Sequence, residues 1–292
     1  VTVNRFWQML FGSGLVTSSE DFGTQGQLPT HPELLDWLAV EFVESGWDVK
    51  RLVRLLVTSA TYRQDSAVSA EAWERDPANR LVGRGSRFRM SAEAIRDNAL
   101  SVSGLLVSRT GGPSVKPYQP KGLWLETSNR PYVQDRGSKL YRRSLYVYWK
   151  RSVPPPNLFA IDAPTRELCT VRRQRTNTPL MALVMLNDPV FVEAARHLAE
   201  RALVSSAGDA GAAIGRMFLR ATARLPDPEE RIILQEIYQR QKAIYIASPE
   251  SAVQLLEVGE SPRNMSLDTA THAALAMVAS TILNLDETIT RE

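Results

Sequence analysis

The sequence predicts a mainly α, multi-helix globular fold with a small irregular or β insertion in a basic, proline-rich middle. Three observations carry that prediction. Apolar residues recur at spacings of three and four through both flanks. A Ser, Thr or Asp stands just before several of these runs, with Pro next at Thr178-Pro179, Asp188-Pro189 and Asp227-Pro228. Between 109 and 176 prolines interrupt every helical pattern, ending in the run Pro154-Pro155-Pro156.

The elements follow in order. Phe6, Trp7, Leu10 and Phe11 have helical spacing, and Gly12 and Gly14 stop that helix. Residues 12–30, rich in Gly, Ser and Thr, read as an ordered loop. Thr30 with Glu33 three positions on predicts a capping box for a helix carrying Leu34, Leu35, Trp37, Leu38, Phe42 and Val43, ended by Gly46. Asp48 caps the next helix, with Leu52, Leu55 and Leu56 inward, so the two form a helical hairpin. Residues 64–78 read as a loop, and Ser91 caps a helix with Ile95, Ala99, Val102 and Leu105 inward. The aromatic and β-branched stretch Leu140 to Trp149 predicts a strand or hairpin. Helical pattern returns at Thr178, at Asp188, from Ala212 to Ala223, from Asp227 to Ile246 and from Asp268 to Asp286. That makes nine helices within one compact domain of three segments. Residues 1–108 form an N-terminal helical segment, residues 109–176 a basic middle and residues 177–292 a C-terminal helical segment.

Composition narrows the function classes. Of 292 residues, 43% are apolar and 23% charged, the composition of a globular chain with enough mass for a sizeable core. No apolar run reaches membrane-spanning length. Val1 to Trp7 already reads as the interior of an amphipathic helix, so the chain is expected to be a piece of a longer protein. Cys169 is the single cysteine, which excludes an internal disulfide and a cysteine-built zinc site. The three histidines, His31, His197 and His272, have no ligand spacing, so no metal is expected. There is no Walker loop, no Gly-x-Gly-x-x-Gly and no Gly-x-Ser-x-Gly.

Charge is unevenly placed. From Arg109 to Arg175 there are fourteen Lys and Arg against four Asp and Glu, in a chain whose net charge is only +3. Such a segment meets an anionic ligand or packs against the acidic flanks of its own chain. Arg142, Arg143, Arg151, Arg172 and Arg173 are interleaved with Tyr146, Tyr148 and Trp149. Guanidinium groups fork onto carboxylate, sulfate or phosphate, and aromatic faces stack on sugars. The bland reading is that these arginines hold loops together. The small net charge and the lack of a known binding module argue against nucleic acid. His31 joins the candidates because anions bind at helix N-termini.

Several phrases carry a resemblance. They include Asn4-Arg5-Phe6-Trp7, Phe11-Gly12-Ser13-Gly14, Asp21-Phe22-Gly23, His31-Pro32-Glu33-Leu34-Leu35 and Ser59-Ala60-Thr61-Tyr62-Arg63. Asp76-Pro77, Asn79-Arg80, Glu93, Arg96-Asp97, Gly111-Gly112-Pro113, Arg142-Arg143-Ser144-Leu145-Tyr146 and Asn187-Asp188-Pro189 follow. In that order they resemble the planctomycete-specific domain of unknown function numbered family 1553, a C-terminal module of large cytochrome-c-like multidomain proteins. Met181 departs from the pattern, standing where the family phrase carries Gln. The resemblance implies neighbouring domains in the same polypeptide, among them a c-type cytochrome domain. It implies a periplasmic or secreted setting and a link to carbohydrate-active proteins. It implies no catalytic residue. Cys-x-x-Cys-His is absent, so no covalent haem and no other cofactor is expected.

Two functions are therefore expected in competition. The first is a non-catalytic binding or assembly module that holds an anionic glycan or an acidic partner domain through the basic aromatic segment. The second is a polysaccharide-active or redox-associated enzyme with a polar centre near His31, Glu33, Asp97, Arg143 and Arg173.

Overall fold

A computed structural model describes residues 1–127 and 130–291. The chain forms two compact units. The first comprises Val1–Arg89, Cys169–Arg172 and the chain end from Thr290; the second comprises Met90–Leu168 and Arg173–Ile289.

The first unit is built on three helices: α1 (Thr2–Phe11), α2 (Pro32–Glu44) and α3 (Val49–Thr58). Their apolar stripes converge as Val3, Trp7, Phe11, Leu38, Phe42, Leu52 and Leu56, joined by Leu15 from the loop. Buried Asn4 fastens that loop: its side-chain amide donates to Val16 O at 3.0 Å and its carbonyl accepts from Val16 N at 2.9 Å. Gly14 packs so closely on Asn4 that a Cβ would lie 2.6 Å from the amide nitrogen, so the loop needs glycine there. A fourth helix, α4 (Ala70–Arg75), lies within the segment that the sequence reads as loop. Its Ser69 cap is ordinary, but six residues leave no apolar period to read. Strands β1 (Phe88–Arg89) and β2 (Thr290–Arg291) pair antiparallel, with Phe88 opposite Arg291.

The second unit holds nine helices: α5 (Ala92–Ser103), α6 (Pro156–Phe159), α7 (Pro179–Asn187), α8 (Pro189–Ser205), α9 (Ala210–Thr222), α10 (Pro228–Ala247), α11 (Pro249–Leu256), α12 (Thr269–Leu283) and α13 (Asp286–Ile289). Helix α12 is its centre, packed by α8, α9, α10 and α11. The run Thr-Ala-Thr-His-Ala-Ala-Leu-Ala-Met-Val-Ala-Ser explains this position: alanine favours helix and lets neighbours approach closely. A helix buried on nearly all sides needs no polar face.

Thirteen helices among the described residues confirm a mainly α fold, four more than the nine expected. Caps were the readable feature. Asp48, Ser91, Thr178, Asp188 and Asp227 each accept a backbone N–H from the first turn, and Asp227 forms a full capping box with Glu230. The capping box expected at Thr30 does not form. The cap position is His31, and Thr30 Oγ1 instead faces Leu15 O and His31 Nδ1.

The strand expected from Leu140 to Trp149 is also absent. That stretch makes two 3-10 turns, Gly137–Tyr141 and Ser144–Tyr146, and isolated bridges at Arg142 and Val147. The reason is a side chain. Buried Arg96 of α5 takes the carbonyls of Leu140 at 2.8 Å and Arg142 at 3.0 Å, groups a ladder would have used. The middle insertion is irregular, and the only sheet among the described residues is β1–β2.

Candidate functional site

The basic middle segment of the second unit has a buried anchor and an outer part. The anchor is Glu193 on α8, which is 0% exposed. Its carboxylate accepts from Tyr118 Oη at 2.9 Å, Tyr141 Oη at 2.8 Å and Ser261 N at 2.7 Å. Arg196, equally buried, lies 3.8 Å away and donates to Ser261 O. Gly259, at φ +92°, presses its backbone against that carboxylate; a Cβ there would lie 2.1 Å from the carboxyl carbon. Burial pushes both tyrosines above the usual phenol range, with the neighbouring Glu193 charge adding to it. The hydroxyls thus stay protonated and donate.

His272 on α12 closes the anchor. Its Nε2 lies 3.1 Å from Arg196 O. A carbonyl only accepts, so Nε2 carries the proton. Burial holds the imidazole below the ordinary histidine range.

A second clamp sits at the start of the segment. Arg142 is 5% exposed, and its guanidinium donates to Pro113 O at 2.9 Å, Arg109 O at 3.2 Å and Gly111 O. It lies 3.8 Å over the Tyr146 ring, whose hydroxyl accepts from Gly111 N. Arg142 and Tyr146 thus shape loop 109–113. Ser144 is equally engaged, bonding Asp97 Oδ1 through both N and Oγ at 2.7 Å. Asp97 in turn lies 3.6 Å from the Arg96 guanidinium.

The outer part sets two half-buried lysines, Lys116 and Lys150, on aromatic rings, of which Trp124 is itself only 8% exposed. Lys150 Nζ lies 4.6 Å and Lys116 Nζ 5.3 Å from the Trp124 centroid, and Lys116 also lies 5.2 Å from Tyr148. Trp124 packs edgewise on Tyr132 with centroids 5.0 Å apart. Nearby in sequence, Arg166 stacks 4.3 Å over Trp149, whose Nε1 donates to Thr165 O at 2.9 Å. Tyr148 is 41% exposed, and Arg151 is exposed. Among the described residues neither Lys116 nor Lys150 forms an ion pair. Asp135, beside Lys116, is bridged by Lys139 at 3.1 Å. Burial pushes Asp135 up, but the Lys116 N–H and the Lys139 ammonium hold it below the usual carboxylate range.

The remaining sequence candidates are divided between the two units. His31, Glu33 and Arg172 belong to the first unit; Asp97, Arg143 and Arg173 belong to the second. His31 bonds Thr30, Arg173 pairs with Glu93 at 2.7 Å, and Arg143 is half-buried with its Nε unpartnered. Cys169 is exposed. No group of three His, Cys, Asp or Glu able to hold a metal occurs among the described residues.

Sequence reasoning missed Lys116, Trp124 and Lys150 as one group, because nothing in the 35 residues from Lys116 to Lys150 marks them as neighbours. It also missed Glu193 and Arg196. Three apart on a helix, they read as a surface pair. The signal was their placement inside the apolar run Val190 to Leu203.

Fold and site together define a helical module with a cationic, aromatic loop surface. The chain belongs to the PSD1 family, described as a protein of unknown function (DUF1553), whose model matches residues 1–238. The match ends within α10, so α12, the centre of the second unit, lies beyond it. No curated protein and no solved structure matches the chain.

Proposed function

We propose that this chain is a non-catalytic binding module, set in an extracytoplasmic multidomain protein, that holds an anionic glycan on the Lys116–Trp124–Tyr148–Lys150 face. The single observation that carries the reading is the pair of ammonium groups over a shared indole, with Asp135 the carboxylate in the field of Lys116. An exposed phenol ring beside them supplies a stacking surface for a sugar, and the ammonium groups supply partners for a carboxylate or sulfate. The buried Glu193 anchor supports this role by fixing Tyr118, two residues from Lys116. Arg142 serves as a clamp on loop 109–113.

The test is binding of the intact chain to sulfated, uronate-containing and neutral glycans at low and physiological salt. Charged glycans bind and neutral ones do not. A Lys116→Ala/Lys150→Ala variant loses roughly tenfold or more in affinity, since each charge-assisted contact contributes about 1.5–3 kcal/mol. Absence of binding at low salt, or binding untouched by the double variant, removes the reading.

A further inference from the structure

Helix α2 of the first unit is apolar on two sides. One side, with Leu38 and Phe42, is buried in the core. The other carries Trp37, Val40 and Val43, each more than half exposed, followed by Trp47 at 61%. Spacings of three place Trp37, Val40 and Val43 on one outward face, and Trp47 lies beyond the helix end. Trp47 stands just past the helix at φ +65° and packs edgewise on Phe42 of the buried side with centroids 5.3 Å apart, which fixes its ring while leaving it open to solvent. A surface helix ordinarily needs one apolar side. A second, carrying two open tryptophans, has the composition of an interface centre.

Charge says what covers it. Helix α2 contains Glu33, Asp36, Glu41 and Glu44 and no Lys or Arg. Glu41 is turned to Arg51, whereas Glu33, Asp36 and Glu44 are exposed on the same side as the ridge, the first two toward its N-terminal end and the third toward its C-terminal end. Packing α2 on the α2 of a second copy would set carboxylates against carboxylates in either direction. An anionic bilayer surface would be repelled in the same way. We propose that the α2 ridge docks a basic amphipathic helix of a partner polypeptide, its apolar stripe on Trp37 to Trp47 and its Lys or Arg flanks facing Glu33, Asp36 and Glu44. The contact is helix face against helix face, with the carboxylates selecting the partner's sign.

The experiment uses the intact chain and a labelled synthetic helix of about 18 residues, or five turns. One face of the peptide is leucine and its flanks are lysine and arginine; a second peptide carries glutamate on the flanks. Fluorescence anisotropy is recorded at low and physiological salt. The basic peptide binds saturably and the acidic one does not. Trp37→Ser/Val40→Ser weakens binding roughly tenfold or more, as hot-spot truncation does. Glu33→Gln/Asp36→Asn/Glu44→Gln weakens it and flattens its salt dependence, a readout that misfolding does not imitate. Absence of basic-peptide binding overturns the proposal, as does binding that the Trp37→Ser/Val40→Ser variant leaves unchanged. So does a wild-type dimer in sedimentation that this variant dissolves, or adsorption to zwitterionic vesicles in place of peptide binding.

Discussion

Replacing Glu193 with Ala tests the anchor directly. The change removes the acceptor of Tyr118, Tyr141 and Ser261 and leaves Arg196 without the carboxylate 3.8 Å away. Both charged side chains are fully buried, so water does not screen the loss. Breaking one half of a buried charge pair costs about 3–5 kcal/mol. Each orphaned buried donor costs about 1–3 kcal/mol more, but the groups share one site and do not add. A loss of about 4 kcal/mol is expected. For a unit of this size that lowers the melting temperature by about 10 °C. Urea unfolding of the intact chain, followed by tryptophan fluorescence, reads the loss as a shift in midpoint. Glu193→Gln keeps an acceptor without the charge and falls between wild type and Ala. A loss below about 1 kcal/mol for Glu193→Ala would refute the reasoning. So would a Tyr118→Phe effect that adds to it within about 0.3 kcal/mol, because neighbours sharing one carboxylate must couple.

Three further outcomes are expected. Gly104 ends α5 at φ +84°, and a Cβ there would lie 1.8 Å from Arg201 Nη1. Gly104→Ala is expected to cost about 2 kcal/mol in thermal unfolding, and a neutral change would contradict that geometry. Arg142→Ala frees three carbonyls of loop 109–113 and should speed amide exchange there while α12 stays protected; unaltered exchange counts against the clamp. Stability should also narrow at both ends of the pH scale. His272 has a folded pKa below its ordinary 6.5, so its contribution is present above pH 6.5 and lost as pH falls below it; His272→Gln should flatten that acid limb. Tyr118 and Tyr141 have folded pKa values above 10, so their contribution is present below pH 10 and lost as pH rises beyond it. Ultraviolet titration should show both ionising late, and ordinary titration near 10 would contradict the buried anchor.

The helices were legible in the sequence because their signals are local. A cap such as Asp188 or Asp227 bonds a residue two or three positions on, so its chemistry is complete within one turn. Helix α11 carries the same kind of signal in Ser248-Pro249-Glu250, but its eight residues give too short a period to stand out. The middle segment misleads where a distant residue decides the outcome. Leu140 to Trp149 has strand composition, yet Arg96, some 44 residues earlier, claims its carbonyls. The candidate site suffers likewise. Arginine spacing announces a cationic surface, but nothing in the spacing separates Arg142, closed over carbonyls, from Lys150, half-buried over an indole.

The anchor also orders the folding of the second unit. Bonding Tyr118 and Tyr141 to Glu193 closes loops of 75 and 52 residues. Taken separately, each closure costs about 3.5–4 kcal/mol of chain entropy, growing as the logarithm of length. Once Tyr141 has docked, Tyr118 closes a loop of only about 23 residues, cheaper by about 1 kcal/mol. The first tyrosine to arrive therefore recruits the second. Helix α8 has to exist before either can bind, since the acceptor rides on it. The basic middle segment is thus expected to be among the last regions of this unit to set and the first to loosen, while the α8–α12 pair persists.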